Sequence, residues 1–103
     1  MFAREWKTRC PLNKKDRFIK YLHQTGVKDT SSTSGFQGAQ IFTRNFEEKV
    51  EVTLITYWDS LESIKAFAGN DISVARLYPE DYKYELDPDF FVTHYKVEEN
   101  QWL

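Results

Sequence analysis

The sequence predicts an α+β fold in which a four-stranded antiparallel sheet carries its helices on one face. Three observations indicate this. Four segments alternate side chains as strands do, two segments repeat apolar residues at helical spacing, and Gly or Pro marks most boundaries. The 103 residues suit one domain, 1–103, and a hydrophobic share of 41% with 17% aromatic residues allows a sizeable core.

The first strand and the first helix come from the N-terminal third. Residues 2–8 alternate between two faces and predict a strand, which Pro11 ends. Asn13 is then expected to cap a helix, and Gly26 to stop it. The buried stripe of this helix is expected to comprise Phe18, Tyr21, Leu22 and Thr25. The Ser/Thr-rich segment 27–35 predicts a loop.

Residues 35–45 and 49–58 predict the second and third strands, joined by a hairpin at 45–48. One face of the third strand carries Val50, Val52, Leu54 and Trp58. Ile55 and Tyr57 make the other face apolar as well, after Glu51 and Thr53. A sheet with one solvated face would not need this pattern, so we expect both faces to be covered.

The second helix is expected to start at an Asp59 cap, with Glu62 completing a capping box, and to stop at Gly69. Its inner stripe is predicted to be Leu61, Ile64, Phe67 and Ala68.

Beyond Gly69, Asp71 is expected to cap a short helix over 72–78, which Pro79 ends. An irregular acidic connection, 79–89, then leads to a last strand over 90–97.

The resulting order, β-α-β-β-α-β, is that of a ferredoxin-like fold. Because both helices cover one face of the sheet, the other face needs a partner. A second copy related by a two-fold axis is the simplest cover. We therefore predict a homodimer in which two sheets close into a dimeric α/β barrel.

Composition excludes several classes of function. The net charge of -2 and the absence of a basic stripe argue against nucleic-acid binding. No apolar run is long enough for a membrane span, and no signal peptide is evident. The single cysteine, Cys10, fits a reducing, cytoplasmic location. With two histidines far apart, the sequence predicts no metal site, and without a phosphate-cradling loop we expect no cofactor.

Residues 56–86, followed by 92–97, carry the motifs W-x-S-x-x-x-I-x-x-F-A-G, A-x-x-Y-P-E-D and H-Y-x-V. In these motifs the chain resembles an uncharacterised branch of the antibiotic-biosynthesis-monooxygenase-like family of dimeric α/β-barrel proteins. Residues 21–29 and 35–45 also resemble that branch, so the resemblance covers nearly the whole chain.

The resemblance implies the same fold and a homodimer. The family includes oxygenases that act on polycyclic phenols without metal or flavin, haem-degrading enzymes, and members with no known activity. The haem-degrading branch uses a Trp late in the second helix and a His about ten residues further on. Phe67 and Leu77 stand at these positions here, so haem degradation is not expected.

Two side chains are candidates for catalysis. His94 lies mid-strand and is a candidate general base on a phenol, because imidazole ionises near neutrality. The alternative is a structural His that holds a backbone carbonyl or a carboxylate of the 78–81 corner. Arg44 ends the second strand and is a candidate for holding an anionic oxygen or an enolate. Its alternative role is an ion pair with Glu47 or an acidic residue of that corner.

Five aromatic side chains are candidate walls of a substrate pocket: Trp6, Phe42, Trp58, Phe67 and Tyr78. Core packing is the alternative, and it is favoured for Trp58. Two classes of function follow. One is a cofactor-independent monooxygenase acting on a small aromatic phenol or quinol. The other is a non-catalytic dimeric domain that binds a small ligand. A deep pocket that receives His94 or Arg44 favours the first.

Overall fold

Three long strands form the body of the sheet in a computed structural model that describes residues 1–102. They are β1 (Phe2–Pro11), β2 (Phe36–Phe46) and β3 (Lys49–Trp58), with β3 between the other two. All pairings are antiparallel, and β2 joins β3 through the predicted hairpin. The free edge of β1 carries β4 (Asp87–Pro88) and β5 (Thr93–Lys96). The α+β fold with an antiparallel sheet is therefore confirmed, with five strands instead of four.

The last strand differs from the prediction of a continuous segment over 90–97. The strand β4 pairs with the end of β1, and β5 pairs with its beginning. Between them the chain leaves β1 and bonds to another segment. Ala75 N–H donates to the Phe90 carbonyl at 2.8 Å, and Val92 N–H donates to the Ser73 carbonyl at 2.8 Å. The interruption thus comes from a competing backbone partner.

The first helical segment is longer than predicted. It starts as a 3₁₀ turn at Leu12–Lys14 and continues as α1 (Lys15–Leu22), a π turn (His23–Val27) and α2 (Lys28–Ser31). The predictions of a stop at Gly26 and of a loop over the whole of 27–35 were wrong. Asn13 also does not cap the helix, because it lies inside the first turn.

Hydroxyl groups explain why the helix runs on. Thr30 Oγ1 donates to the Gly26 carbonyl at 2.8 Å, and Ser32 Oγ donates to the Lys28 carbonyl at 2.8 Å. Thr33 Oγ1 similarly donates to the Asp29 carbonyl at 3.0 Å. The Ser/Thr-rich composition therefore supplies side-chain donors to helical carbonyls near the helix end.

The second main helix is α3 (Leu61–Ala68), and its N-cap lies one residue later than predicted. Ser60 is the N-cap and accepts a hydrogen bond from Ser63 N–H, whereas Asp59 accepts from the Ser63 hydroxyl at 2.6 Å. Gly69 ends the helix with a φ of +94°, as predicted. Within residues 1–102, the helices are too short or too polar to cross a membrane.

The predicted short helix over 72–78 is absent, and this prediction was wrong. Asp71 accepts hydrogen bonds from the N–H and the hydroxyl of Ser73, which forms a tight turn. Val74 then pairs with Phe91 in an antiparallel bridge. The segment is extended because its backbone groups bond to partners that are distant in sequence.

The core lies between the sheet and the helices that cover one of its faces. Val50, Val52, Leu54 and Trp58 are buried on the helix-facing side, together with Cys10, Phe18, Leu22 and Ile64. The core cluster holds Val50, Val52 and Leu54, as predicted for this face, although Glu51 and Thr53 of the other face are also buried. The opposite side, which we call the outer face, carries Ile55 and Tyr57 and is partly exposed.

Two glycines with the same φ of +94° provide a test of backbone constraint. At Gly69 a Cβ meets open space, so Gly69→Ala should cost about 1–3 kcal/mol from backbone strain alone. At Gly35 a Cβ overlaps Ser63 Oγ and lies 2.5 Å from Asp59 Oδ1. We expect Gly35→Ala to lower the free energy of unfolding by about 1–3 kcal/mol more than Gly69→Ala. Urea denaturation measures both, and equal losses would contradict the packing at Gly35.

Candidate functional site

A cavity lies between the helix-facing side of the sheet and the helical layer, and it opens to solvent. It leaves about 40 Å³ for the centres of water-sized molecules, which is room for about three waters. Its walls are mostly apolar or aromatic, and its charged lining residues are Arg4, Arg76 and Asp81. Within residues 1–102, no three His, Cys, Asp or Glu side chains are grouped to hold a metal ion.

Arg4 is the most buried charged side chain of this cavity, with 5% of its surface exposed. Strand alternation places it on the helix-facing side of β1, in register with Thr56 of β3 and His94 of β5. Its Nη1 donates to the Ile72 carbonyl at 2.5 Å, and its Nη2 donates to the Val74 carbonyl at 3.1 Å. Among the residues described, no carboxylate lies within ion-pair distance of it. Burial lowers the pKa of Arg4 to about 10.

His94 lies against Arg4 and does not line the cavity. Its Nε2 is 3.1 Å from Arg4 Nη1 and must be the acceptor, because a guanidinium only donates. Burial, and then the positive charge of Arg4, lower the pKa of His94. The neutral imidazole therefore orients the guanidinium, and its Nε2 lone pair is already engaged.

Arg44 lies on the outer face, where its side chain is 68% exposed. Its Nε donates to Glu51 Oε1 at 2.9 Å, so its ion-pair partner differs from those considered in the sequence. This hydrogen bond holds the pKa of Glu51 below its usual value. The sheet separates Arg44 from His94, so the two candidate catalytic residues do not share a site within one chain.

The five candidate pocket aromatics divide into three groups. Trp6, Phe67 and Tyr78 line the cavity. Trp58 is fully buried, and its ring centroid lies 5.9 Å from that of Phe67, so it packs behind the cavity wall. Phe42 lies on the outer face with 47% of its surface exposed. The structure therefore brings three of the five together.

A polar cluster joins helix α2 to the segment 72–78 beside the cavity. Tyr78 Oη donates to Asp29 Oδ2 at 2.7 Å, and Arg76 Nη2 lies 3.7 Å from the same oxygen. The Arg76 guanidinium also lies 4.9 Å from the centroid of the Phe67 ring. Burial and then the hydrogen bond to Asp29 raise the pKa of Tyr78.

Sequence reasoning did not identify Arg4, Asp29 or Arg76 as site residues. One signal for Arg4 was available, since a charged residue on the apolar face of a strand is unusual. Asp29 and Arg76 gave no such signal, because both fall in segments predicted with the wrong secondary structure.

Solved structures provide the comparison. The heme-degrader MhuD of Mycobacterium tuberculosis, solved with two hemes in its active site, is 15% identical, with a TM-score of 0.67 over 99% of this chain and 100% of that one. A candidate antibiotic biosynthesis monooxygenase from Bacillus cereus is 15% identical, with a TM-score of 0.65 over 100% and 97%. A dimeric ferredoxin-like protein from an uncultured marine organism is 13% identical, with a TM-score of 0.64 over the full length of both chains.

No protein-family model and no curated protein matches the chain. The chain has the ferredoxin-like fold of antibiotic biosynthesis monooxygenase-like proteins. Identities of this size establish only the fold, so any chemistry must be inferred from the residues of this chain.

Phe67 and Leu77, which stand where the haem-degrading branch has its Trp and His, lie in different surroundings. Phe67 lines the cavity, whereas Leu77 is 39% exposed and does not line it. A porphyrin is far larger than the three water molecules for which the cavity has room. The cavity as built therefore suits a much smaller molecule.

The contact between Arg4 and His94 predicts a pH dependence of stability. The folded pKa of His94 lies below its usual value of 6.5, so its contribution is complete above that value and is lost as the pH falls through the lowered pKa. In His94→Gln, whose amide oxygen keeps an acceptor for Arg4, we expect a smaller loss of unfolding free energy over this range. The exposed His23→Gln is the matched control. An unchanged pH profile in His94→Gln would contradict this assignment.

Proposed function

We propose that this chain binds a small aromatic phenol or quinol in the cavity between sheet and helices, and oxidises it with molecular oxygen without a bound cofactor. The observation that carries the proposal is the convergence of Trp6, Phe67 and Tyr78 on one cavity. Flat rings packed against aromatic walls gain both buried area and favourable ring geometry. The fold shared with monooxygenase-like proteins supports the same class of reaction.

The proposed reaction balances without an added reductant. One oxygen atom of O₂ enters the substrate and the other leaves as water, and the substrate supplies both electron pairs. The phenol must first lose its proton, and the two guanidinium groups of the lining, Arg4 and Arg76, favour the anionic form. We assign His94 to positioning Arg4, through its hydrogen bond to Nη1. The proton passes to solvent at the opening of the cavity.

A non-catalytic ligand-binding domain is the second candidate, and one observation favours it. Neither His94 nor Arg44 lines the cavity, so neither candidate catalytic group is placed against a bound molecule. Oxygen uptake separates the two functions. Quinol loss that matches oxygen consumption supports the oxygenase, whereas saturable binding with no oxygen uptake supports the binding domain.

We expect Phe67→Leu to raise the KM for an accepted quinol about 2- to 10-fold, because leucine keeps an apolar wall but loses the ring contact. Phe90→Leu is the matched control, since Phe90 is 62% exposed and does not line the cavity. Oxygen-electrode kinetics with quinol and anthrone-like substrates measure both variants. Equal KM values in the wild type and Phe67→Leu would remove Phe67 from the site.

We further propose that two copies associate through their outer faces. This face combines partly exposed Phe42 and Tyr95 with the half-buried Ile55 and Tyr57, which leaves apolar area that a second sheet would cover. A dimeric protein with the same fold supports this arrangement.

Phe42→Glu is expected to halve the molar mass measured by light scattering at micromolar concentration, since it puts a charge at the proposed interface. Tyr82→Glu is the control, because Tyr82 is 74% exposed and lies on a 3₁₀ turn away from the outer face. A monomeric wild type would refute the dimer.

A further inference from the structure

We infer that the cavity recognises a carboxylate group on its aromatic ligand, and that Arg4 is the residue that determines this specificity. The inference rests on the proposed function in one respect, that the cavity binds an aromatic molecule. It goes further by naming the charged group that the ligand carries.

Arg4 is a buried cation whose charge is not balanced by a neighbouring carboxylate in the described part of the chain. Its side chain is 5% exposed, its hydrogen-bond partners are two backbone carbonyls and a neutral imidazole, and the Phe67 ring centroid lies 5.9 Å from its Cζ. Within residues 1–102 it has no carboxylate partner, unlike Arg76, which lies 3.7 Å from Asp29. A buried cation without an anion is costly, and an anion bound beside it offsets that cost.

The Arg4 guanidinium has more N–H donors than observed contacts. A guanidinium has five N–H groups. Nη1 makes two of the observed contacts and Nη2 makes one, so among the described residues one N–H of Nη2 and the N–H of Nε have no acceptor. Nε and Nη2 share one edge of the guanidinium. We assign the free N–H of Nη2 to this edge, where it and the N–H of Nε match the two oxygens of a carboxylate, whereas a phenolate offers one oxygen.

The size of the cavity also favours a carboxylate. The narrow part of the cavity has room for about three water molecules, which suits a carboxylate head group. The ring then lies toward the opening, against Phe67 and Tyr78, where Arg76 stacks at 4.9 Å and 5.6 Å from the two centroids. Asp81 also lines the cavity, and its Oδ2 accepts the Tyr78 N–H at 2.9 Å. The two guanidinium groups leave the lining positive overall.

The test compares benzoate with benzamide, its neutral analogue of the same shape, by isothermal titration. In the wild type we expect benzoate to bind about 10- to 100-fold more tightly than benzamide, from one or two hydrogen bonds to a charged group. Arg4→Met should abolish this preference. Arg4→Lys keeps a charge but loses the two-donor edge, so it should reduce the preference about tenfold even if the Met variant fails to fold.

Arg17→Met is the matched control, because Arg17 is exposed on α1 and does not line the cavity. It should keep the preference for benzoate. Equal binding of benzoate and benzamide to the wild type would overturn the inference, as would an undiminished preference in folded Arg4→Lys. Oxygen uptake with hydroxybenzoates tests the reaction separately. Benzoate binding without oxygen uptake refutes the oxygenase and leaves the carboxylate site standing.

Discussion

The burial of one guanidinium group, that of Arg4, is the constraint on which the sheet edge and the cavity both depend. An unpaired charge inside a protein is costly, so a buried arginine must find acceptors. Arg4 finds them in the carbonyls of Ile72 and Val74 and in the imidazole of His94. A helix over 72–78 would use those carbonyls in its own hydrogen bonds. The extended course of this segment and the burial of Arg4 therefore require each other.

The two faces of the sheet differ in whether their cations have a carboxylate partner. On the outer face, Glu51 accepts hydrogen bonds from Arg44 at 2.9 Å and Arg9 at 3.3 Å, and Lys7 lies 3.9 Å away. Each of those cations thus shares a nearby carboxylate. On the helix-facing side, Arg4 has none among the residues described. Uncompensated charge on the buried face contributes little to stability, so besides its role in the fold it indicates a ligand site.

Strand alternation predicted which residues of β3 face the helices, because a period of two leaves little freedom. Local rules failed where partners are distant in sequence. The 72–78 segment has good helix signals, yet its carbonyls bond to a strand 68 residues earlier in the chain. The same holds for the site. Trp6, Phe67 and Tyr78 were identified as pocket aromatics, but Arg4, whose role is set by what surrounds it, was not.

The contacts between α2 and the 72–78 segment, beside the cavity, are weak ones. Tyr78 and Arg76 are held to Asp29 by a hydrogen bond and an ion pair, and these groups are half-exposed or exposed. Such contacts exchange with water at a net cost of about 0.5–1.5 kcal/mol each. Packing at Trp58, which is fully buried, is far more costly to disturb. The α2 side of the cavity wall is therefore held more weakly than the sheet that carries Arg4.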